Sequence, residues 1–385
     1  MRASCLQENL SRGLGIVGRA VATRSTLPVT SHILVATDGG RLRLAATNLE
    51  IAITVWVGAK VEAEGAVAVP AQVLTQFVNS LPPDRIDLSI SGRVLQVKCA
   101  RFEARINGLD PDDFPPIPTV AEAPTTAMDP EVLRGVIEQV AFAAATDDTR
   151  PVLTGVYTRL AGDQGLFAAA DGFRLSVRQA PLLSPVPEGD EVEVIVPARA
   201  LHELQRIIPD GDQPVQVAIQ PNRAQLLFRI ESDSPGVGTI ELVSQLIQGT
   251  FPNFQQLIPK TYACRVVVNT QEFLKATRVA EIFARHNSDI VRLNIFPGEE
   301  LAPGRLRVSA RSEDTGENVG EIDATVDGDE AKIAFNVRYL KQALEVVDTP
   351  QVALEMTSPS SPGVIRPVNQ DGFVHLIMPM FVNWD

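Results

Sequence analysis

The chain has 385 residues, which is too long for one ordinary hydrophobic core and indicates two or three domains. Hydrophobic residues make up 45% of the chain and charged residues 21%, a composition that excludes an intrinsically disordered protein. The formal net charge of −13 argues against a protein that coats DNA by bulk electrostatics, although basic residues could still be gathered on one surface.

The N-terminal segment 1–15 lacks the continuous apolar stretch of a signal peptide, and no apolar run reaches the roughly eighteen residues of a membrane-spanning helix. Three cysteines, Cys5, Cys99 and Cys264, lie far apart without the spacing of metal ligands. Small buried hydrophobic residues are the better interpretation of Cys99 and Cys264, which lie in strand-like segments. We therefore expect a cytoplasmic protein with no membrane partner, no metal and no cofactor.

A glycine pattern near the N-terminus resembles a nucleotide-binding motif. Gly13 to Gly18 match GxGxxG, and Asp38 follows about twenty residues later. That motif requires a buried strand before its first glycine and a full helix after its last. Here the preceding residues have helical character, and Pro28 interrupts the chain soon afterwards. A glycine-rich helix end is the preferred interpretation, and an NAD-dependent oxidoreductase is kept as an alternative.

Long segments of the chain repeat a common pattern. Segments 27–53 and 150–176 both contain an alternating strand, a polar glycine-containing turn, a second strand that ends in small residues, and a third strand. Pro28 aligns with Pro151, and Asn48 aligns with Asp171 at the same spacing. The pattern returns near residue 289.

Each copy also contains two predicted helices. A short β-branched strand runs directly into an amphipathic helix in 65–81, 192–208 and 331–347, and another helix precedes each copy. The predicted helices span 6–20, 71–80, 130–145, 198–208, 270–286 and 337–347. This repetition predicts an α+β fold of three domains, each with two helices packed on antiparallel sheets. Proline-rich stretches at 110–126 and 250–260 suggest linkers, with domains at 1–123, 124–256 and 257–385.

The predicted helices carry more basic than acidic residues, whereas the whole chain has 34 basic and 47 acidic residues. Arg199 and Arg206 share a helix face, as do Lys275 and Arg278. Ordinary solvated helix faces are one interpretation. The alternative is a basic helical surface that contacts phosphates without sequence preference. The helices lack an aromatic platform, which disfavours single-strand binding.

Catalytic patterns are missing from the sequence. The four histidines share no ligand spacing, and the acidic clusters fall in turn-like stretches where solvated carboxylates are usual. No GxSxG or P-loop pattern occurs. We therefore expect a protein that is not an enzyme.

Five ordered motifs carry a family resemblance: TRSTLPVTSHILV (23–35), DDTRPVLTGV (147–156), AADGFRLS (169–176), GTFPNFQQLIP (249–259) and HLIMPM (375–380). Each is weak alone, but together they cover the chain, which resembles the bacterial DNA sliding clamps, the β subunits of DNA polymerase III. The resemblance implies a fold of DNA-clamp domains, with two protomers closed head-to-tail into a six-domain ring around duplex DNA. A repeat scaffold unrelated to replication would share the fold without forming such a ring.

The resemblance also implies partners. They are a second copy of the chain in a homodimer, double-stranded DNA without sequence preference, the catalytic subunit of DNA polymerase III, the clamp loader, and other proteins with clamp-binding motifs, including repair proteins. A peptide-binding groove would hold the protein partners. The positions that form this groove in the family correspond in this chain to Leu153, Gly155, Ala170, Asp171, Gly172, Arg174, Leu175, Pro252, Leu257, Leu376, Met378, Pro379 and Met380.

Two further sets of residues follow from the resemblance or from the helix charges. The expected DNA contacts are Arg24, Arg150, Arg199, Arg206, Lys275 and Arg278. The expected dimer interface pairs the strand that contains Ile106 with Ile282 and Phe283. The chain departs from the family pattern at three places near the groove: Phe173, Gln256, and Phe381 with the following residues 382–385.

Overall fold

The computed structural model describes residues 1–22, 27–117, 123–220, 222, 224–233, 235–285, 288–299 and 302–384. These residues form two compact units. Unit 1 contains Met1–Arg134, Ala161–Asp163 and Pro181–Gln248, and unit 2 contains Gly135–Leu160, Gln164–Ala180 and Gly249–Asp385. Both units combine helices with antiparallel sheet, which confirms the predicted α+β class.

The predicted helices are confirmed, with ends that differ by a few residues. They are α1 (Gln7–Val17), α2 (Ala71–Ser80), α3 (Pro130–Val140), α4 (Ala198–Ile207), α5 (Thr270–Ala284) and α6 (Val337–Glu345). Pro70 and Pro197 directly precede α2 and α4, where a missing backbone N–H costs nothing. Asn269 and Asn336 cap α5 and α6, because their side chains accept hydrogen bonds from N–H groups of the first turn.

Unit 1 contains two antiparallel sheets. The smaller has the strand order β5-β1-β7-β8-β9, and the larger has the order β10-β14-β15-β16-β4-β3-β2-β6. Their strands are β1 (Arg2–Leu6), β2 (His32–Asp38), β3 (Arg41–Thr47), β4 (Ile51–Val57), β5 (Lys60–Ala63), β6 (Ala66–Pro70), β7 (Arg85–Ser91), β8 (Val94–Cys99), β9 (Phe102–Asn107), β10 (Thr126–Met128), β14 (Val215–Gln220), β15 (Gln225–Glu231) and β16 (Val237–Gln245). A further strand, β13 (Val192–Pro197), leads into α4.

The larger sheet of unit 1 contains strands from two copies of the sequence repeat. β4 pairs antiparallel with β16, with Val55 opposite Ile240 and Ile53 opposite Leu242. These side chains are buried, so the pairing is supported by apolar packing as well as by the ladder of hydrogen bonds. The division into two compact units therefore does not follow the three repeats of the sequence.

Unit 2 is built on one long antiparallel sheet. Its hydrogen-bonded neighbours follow the order β11-β12-β24-β23-β22-β17-β20-β19-β18-β21. The strands are β11 (Gly155–Ala170), β12 (Arg174–Val186), β17 (Cys264–Asn269), β18 (Ile290–Phe296), β19 (Gly304–Ser312), β20 (Gly316–Gly328), β21 (Ala331–Asn336), β22 (Gln351–Met356), β23 (Gly363–Pro367) and β24 (Phe373–Ile377). The distal parts of β11 and β12 extend into unit 1.

The core of unit 2 lies between this sheet and two helices. α5 and α6 contact each other, and α5 also packs on β19 and β20. Phe273 of α5 and Phe335 of β21 are fully buried in this core. Gly363 lies against the ring of Phe335, where a Cβ atom would come within 2.2 Å of it. Close packing of this kind leaves no room for a larger residue.

All three cysteines are buried and free, which confirms the predicted burial of Cys99 and Cys264. Burial, with the charge of Asp87 adding to it, raises the pKa of the Cys5 thiol to about 12, so this thiol is neutral and unreactive at physiological pH. Among the described helices, none combines the length and the apolar character needed to cross a membrane.

Candidate functional site

Two of the predicted groove segments are joined by strand pairing within unit 2. β12 and β24 pair antiparallel, which places Leu175 directly opposite Leu376. The pairing continues past the end of β24, where the N–H of Met378 donates to the carbonyl of Phe173 at 2.8 Å. Residues 170–175 and 376–380 are therefore neighbours in space, although they are about two hundred positions apart in the chain.

A tight turn at 171–174 shapes one end of this pair. The Asp171 carboxylate accepts hydrogen bonds from the N–H groups of Phe173 at 2.8 Å and Arg174 at 3.0 Å. Gly172 has φ +94°, a conformation that favours glycine, and a Cβ atom there would come within 2.8 Å of Arg150 Nη1. Arg150 Nη2 donates to the carbonyl of Asp171 at 2.9 Å. The turn is thus locked by its own carboxylate and by one arginine.

The remaining groove segments approach the same strands. Leu153 lies in a single 3₁₀ turn just before β11, which begins at Gly155. The ring of Tyr157 of β11 packs tilted against Phe251 and edge-on against Phe254, with ring centroids 5.6 and 5.5 Å apart. These two phenylalanines flank Pro252 and hold the 249–257 segment beside β11.

The burial of the groove residues separates a floor from a rim. Leu153, Leu175 and Leu376 are at most 6% exposed, whereas Leu257 and Met378 are 53% and 47% exposed. The exposed residues also include Gly172 and Pro252, while those of intermediate burial are Ala170, Asp171, Arg174, Pro379 and Met380. A buried aliphatic floor with an exposed Leu and Met at the rim is suited to short apolar segments of a partner, because Met adapts its shape to what it meets.

The three departures from the family pattern change the rim. Phe173 is 60% exposed and stacks on Tyr339 with the ring centroids 6.4 Å apart. Phe381 is 91% exposed, and Gln256 is exposed as well. Trp384 lies between two cations, 5.1 Å from Lys332 Nζ and 5.8 Å from the guanidinium carbon of Arg292. The rim is therefore more aromatic than the family pattern predicts.

Arg174 is surrounded by partners inside the protein. Its Nε donates to Asp171 at 2.9 Å, its Nη2 donates to the carbonyl of Phe142 at 2.8 Å, and its Nη1 donates to Gln342. The guanidinium also lies 4.6 Å from the ring centroid of Tyr339. With a side chain only 8% exposed, Arg174 supports the groove from below and has few donors left for a ligand.

The partners of Arg174 were not anticipated from the sequence. Phe142 lies in the 3₁₀ turn Ala141–Ala143 directly after α3, whereas Tyr339 and Gln342 come from α6. The three-residue spacing of Tyr339 and Gln342 on an amphipathic helix places both on one face, which was the available signal. Nothing local indicated that this face meets β12.

His375 is a second buried polar residue beneath the groove. It is fully buried, its Nδ1 lies 2.6 Å from the hydroxyl of Ser176, and its ring stacks on Phe142 at 5.3 Å. Burial, with the charge of Arg174 adding to it, lowers the pKa of His375 from 6.5 to about 3. The imidazole is therefore neutral at physiological pH.

This shift predicts that stability depends on pH through His375. The unfolded chain binds more protons than the folded protein between pH 3 and 6.5, so the free energy of unfolding falls as the pH drops through that window. At pH 5 the loss from this residue is about 2 kcal/mol relative to pH 7.5. Urea unfolding at both pH values measures it. In a His375→Gln variant the loss should shrink by that amount, and an unchanged loss would contradict the assignment.

The expected DNA contacts lie mostly on helices and are mostly paired. Arg24 lies outside the described residues. Arg150 lies beside Asp171 and Gly172 of the groove. Each of three arginines forms an ion pair with a glutamate, and each arginine side chain is more than half exposed: Arg199 with Glu50, Arg206 with Glu203, and Arg278 with Glu345. Lys275 has no hydrogen bond or ion pair within the described residues. Exposed pairs of this kind contribute little and exchange easily.

The expected interface residues differ in how much surface they offer. Ile282 is 63% exposed on α5, whereas Phe283 is partly buried against the core of unit 2. Ile106 is only 5% exposed and lies opposite Leu95 within the smaller sheet of unit 1. The exposed apolar side chain of β9 is Phe102 at 54%. Phe102 and Ile106 are four positions apart and so lie on the same face of β9, with Phe102 at the hairpin end of the strand, opposite Cys99.

The glycine motif is part of a packed helix. Gly13 lies in the middle of α1, where a Cβ atom would come within 2.8 Å of Val57 and 2.9 Å of Leu44. Gly15 faces open space, and the helix ends at Gly18. The strand, turn and helix order of a dinucleotide site does not occur here. Close packing of α1 on β3 and β4 explains Gly13, so the NAD alternative loses its support.

Among the described residues, no group of three or more His, Cys, Asp and Glu side chains could hold a metal ion.

Comparison with known protein families identifies three successive matches. The model for the N-terminal domain of the DNA polymerase III beta subunit matches residues 1–118, that for the central domain matches 127–253, and that for the C-terminal domain matches 255–381. Three repeated clamp domains, as predicted, are therefore confirmed. The exact boundaries at 123 and 256 stay a prediction.

Known relatives and solved structures agree with these matches over the full length. The chain is 30% identical over 385 residues to the beta sliding clamp of Synechococcus elongatus, and 29% identical over 392 residues to that of Bacillus subtilis, with 99% of each chain covered in both cases. The crystal structure of the sliding clamp from Bacillus subtilis superimposes with a TM-score of 0.91 at 27% identity, covering 100% of both chains. That from Pseudomonas aeruginosa gives a TM-score of 0.87 at 26% identity, covering 99% of this chain and 100% of the other.

Proposed function

Because the chain belongs to the family of DNA polymerase III beta subunits, the beta sliding clamps, we propose that it is a DNA polymerase processivity factor. It encircles duplex DNA and tethers other replication proteins to it, without a catalytic activity of its own. The observation that supports this most is the full-length match to three successive domains of one family. A location in the cytoplasm belongs to the same proposal.

The proposed ring is a head-to-tail homodimer of two three-domain chains. Two of the strand edges among the described residues are β9 in unit 1, at the end of the smaller sheet, and residues 316–324 of β20 in unit 2, which pair only with β19. Free edges of this kind are templates for pairing with another chain. Phe102 on β9, Val319 on β20 and Ile282 on α5 are each more than half exposed and would bury apolar surface when the edges meet. Two such contacts related by twofold symmetry close the ring.

The charges of the two edges complement each other. β9 presents the exposed Arg105 beside Glu103, which pairs with Lys98. β20 presents the exposed Glu317, Glu321 and Asp323, of which Glu321 already pairs with Arg305 and Arg307. Opposite charges across an interface favour the correct partner and register more than they add affinity. The pairing of β9 with β20 therefore has both an apolar and an electrostatic basis.

Contact with DNA is proposed to be weak and independent of sequence. The cations of α4 and α5 are exposed, and most of them are already paired with glutamates that phosphates would have to replace. An acidic chain with a net charge of −13 gains little from bulk attraction to DNA. Retention on DNA then comes from closure of the ring, and a low affinity permits sliding.

This reasoning predicts how retention depends on the topology of the DNA. After loading, the protein should stay on closed circular DNA through a gel-filtration column and leave when the circle is cut once. Direct binding to a short duplex should weaken steeply with added salt, because each phosphate contact releases counterions. Gel filtration of labelled protein on circular and linearised DNA measures the first effect. Equal retention on the two forms would contradict the proposal.

The groove of unit 2 is proposed to hold short peptide segments of several partners: the catalytic subunit of DNA polymerase III, the clamp loader and other proteins with clamp-binding motifs. The buried Leu153, Leu175 and Leu376 supply the floor, and the exposed Leu257 and Met378 can close over a ligand. A peptide with Gln followed by Leu and Phe anchors should bind with a dissociation constant in the micromolar range, about −8 kcal/mol. Fluorescence anisotropy of a labelled pentapeptide, Gln-Leu-Ala-Leu-Phe, measures this directly.

A further inference from the structure

The apolar strip that forms part of the groove continues beyond it along the same face of the sheet. On β12, Leu175, Val177 and Gln179 alternate on one face, and Val177 lies opposite Val374 of β24 as Leu175 lies opposite Leu376. The intervening Ser176 points to the opposite face, toward the buried His375. Strand periodicity thus places one further pair of apolar residues directly beside the groove.

A cavity of about 320 Å³ lies over this continuation. Val177 and Val374 contribute the strand side, and Leu166 of β11 lies next to them. Phe254, Gln255 and Ile258 cover the cavity from the turn that also carries Leu257 of the groove. The groove and the cavity therefore share two strands and one turn.

The far end of the cavity is polar and carries excess positive charge. Arg366 lines the cavity, and its Nε donates to Glu355 at 3.1 Å. Arg265 donates to the other oxygen of the same carboxylate at 3.2 Å. One carboxylate between two guanidinium groups leaves a net positive charge. Within the described residues, the Nη atoms of Arg366 have no other hydrogen bond or ion pair, and Gln179 and Gln255 add amide groups nearby.

We propose that this cavity is an accessory subsite that binds the residues flanking a partner's groove-binding segment: one apolar side chain, followed by a carboxylate that pairs with Arg366. The inference rests on the proposed function of the groove. Two residues along an extended strand span about 7 Å, so a peptide extended by two residues reaches from the pair Leu175–Leu376 past Val177–Val374. The same peptide can therefore occupy both places.

The experiment compares extended peptides with the pentapeptide Gln-Leu-Ala-Leu-Phe by fluorescence anisotropy. One peptide carries Glu-Leu before the pentapeptide and another carries Leu-Glu after it, so that the leucine is next to the groove-binding segment in both, and a matched pair carries Gln in place of Glu. One of the two Glu-containing peptides should bind about tenfold more tightly than the pentapeptide, which is the effect of burying one leucine side chain. Replacing its Glu by Gln should weaken binding a few-fold, as expected for a partly exposed ion pair.

Four variants assign the gain to the cavity. Ile258→Asp should reduce the tenfold gain in affinity to less than twofold. It should leave the affinity for the pentapeptide unchanged, which also shows that the variant is folded. Ile258→Ala should reduce the gain only partially. Arg366→Gln should abolish the difference between the Glu and Gln peptides. Arg265→Gln removes the other arginine that pairs with Glu355, which does not line the cavity. This variant should preserve the difference in affinity between the Glu and Gln peptides.

The outcomes separate this inference from the proposed groove. If the pentapeptide binds and neither extension improves its affinity, the subsite is refuted and the groove stands. A gain that persists in Ile258→Asp also refutes the subsite. Failure of the pentapeptide itself to bind the unaltered protein would refute the groove, and the inference with it.

Discussion

Replacing Met378 with aspartate is expected to weaken binding of the Gln-Leu-Ala-Leu-Phe peptide by at least about a hundredfold. Met378 is 47% exposed in the free protein, beside the buried Leu175 and Leu376, and an apolar ligand would cover it. A carboxylate at this position would have to lose its water without gaining a partner, which costs several kcal/mol. Fluorescence anisotropy at pH 7.5 measures the effect.

Two controls make the Met378 result specific. Met378→Leu preserves the apolar surface and should retain binding within a few-fold. Light scattering should give Met378→Asp the same mass as the unaltered protein, because Met378 follows β24, which three strands (β23, β22 and β17) separate from β20 in the sheet of unit 2. Raising the salt concentration should change peptide affinity little, since apolar burial supplies most of it. Normal peptide binding by Met378→Asp would place the groove elsewhere.

Ile282→Asp is expected to convert the protein from a dimer to a monomer at micromolar concentration. Ile282 is 63% exposed on α5 of a single chain, so the substitution leaves the core of unit 2 intact. In the proposed ring this side chain is buried against the strand edge of the partner subunit, where an unpaired carboxylate costs several kcal/mol at each of two interfaces. Multi-angle light scattering should therefore report half the mass.

Ile282 is substituted alone, without Phe283, so that loss of the dimer is not confused with loss of the fold. Phe283 packs against the core of unit 2, so a charge at Phe283 would also destabilise the fold and confuse the result. Leu183→Asp replaces another exposed apolar side chain, 55% exposed, that lies outside the proposed edges and should leave the dimer intact. A dimer that persists in Ile282→Asp would mean that the ring closes through a different surface, or not at all.

The local elements of the protein are determined by its local sequence. The helices were placed correctly because an amphipathic stripe with a period of 3.6 residues, together with Pro or Asn at the entry, specifies a helix without reference to the rest of the chain. The repetition of one pattern three times likewise indicated three domains of one kind, which the family matches confirm. The ordered motifs predicted the segments of the proposed groove, and strand pairing brings two of these segments together.

The surroundings of individual side chains were decided by strand pairing across long stretches of chain. Ser176 and His375 form a buried hydrogen bond although they are separated by 199 positions, and no local pattern encodes that partnership. The same holds for Arg174, whose guanidinium is held by the turn after α3 and by α6, and for Ile106, whose face of β9 is set by the sheet register.

The cavity beside the groove likewise combines a feature that the sequence pattern predicts with one that only the folded structure sets. Its apolar lining could be expected from alternation along β12, but its existence depends on how the turn at 255–257 lies over the strands. Periodicity is a property of a few neighbouring residues, and the sequence alone therefore determined the elements and their order. Register and packing are set by the summed burial and hydrogen bonding of segments that meet only in the folded chain, so only the tertiary structure decided which side chains share a site.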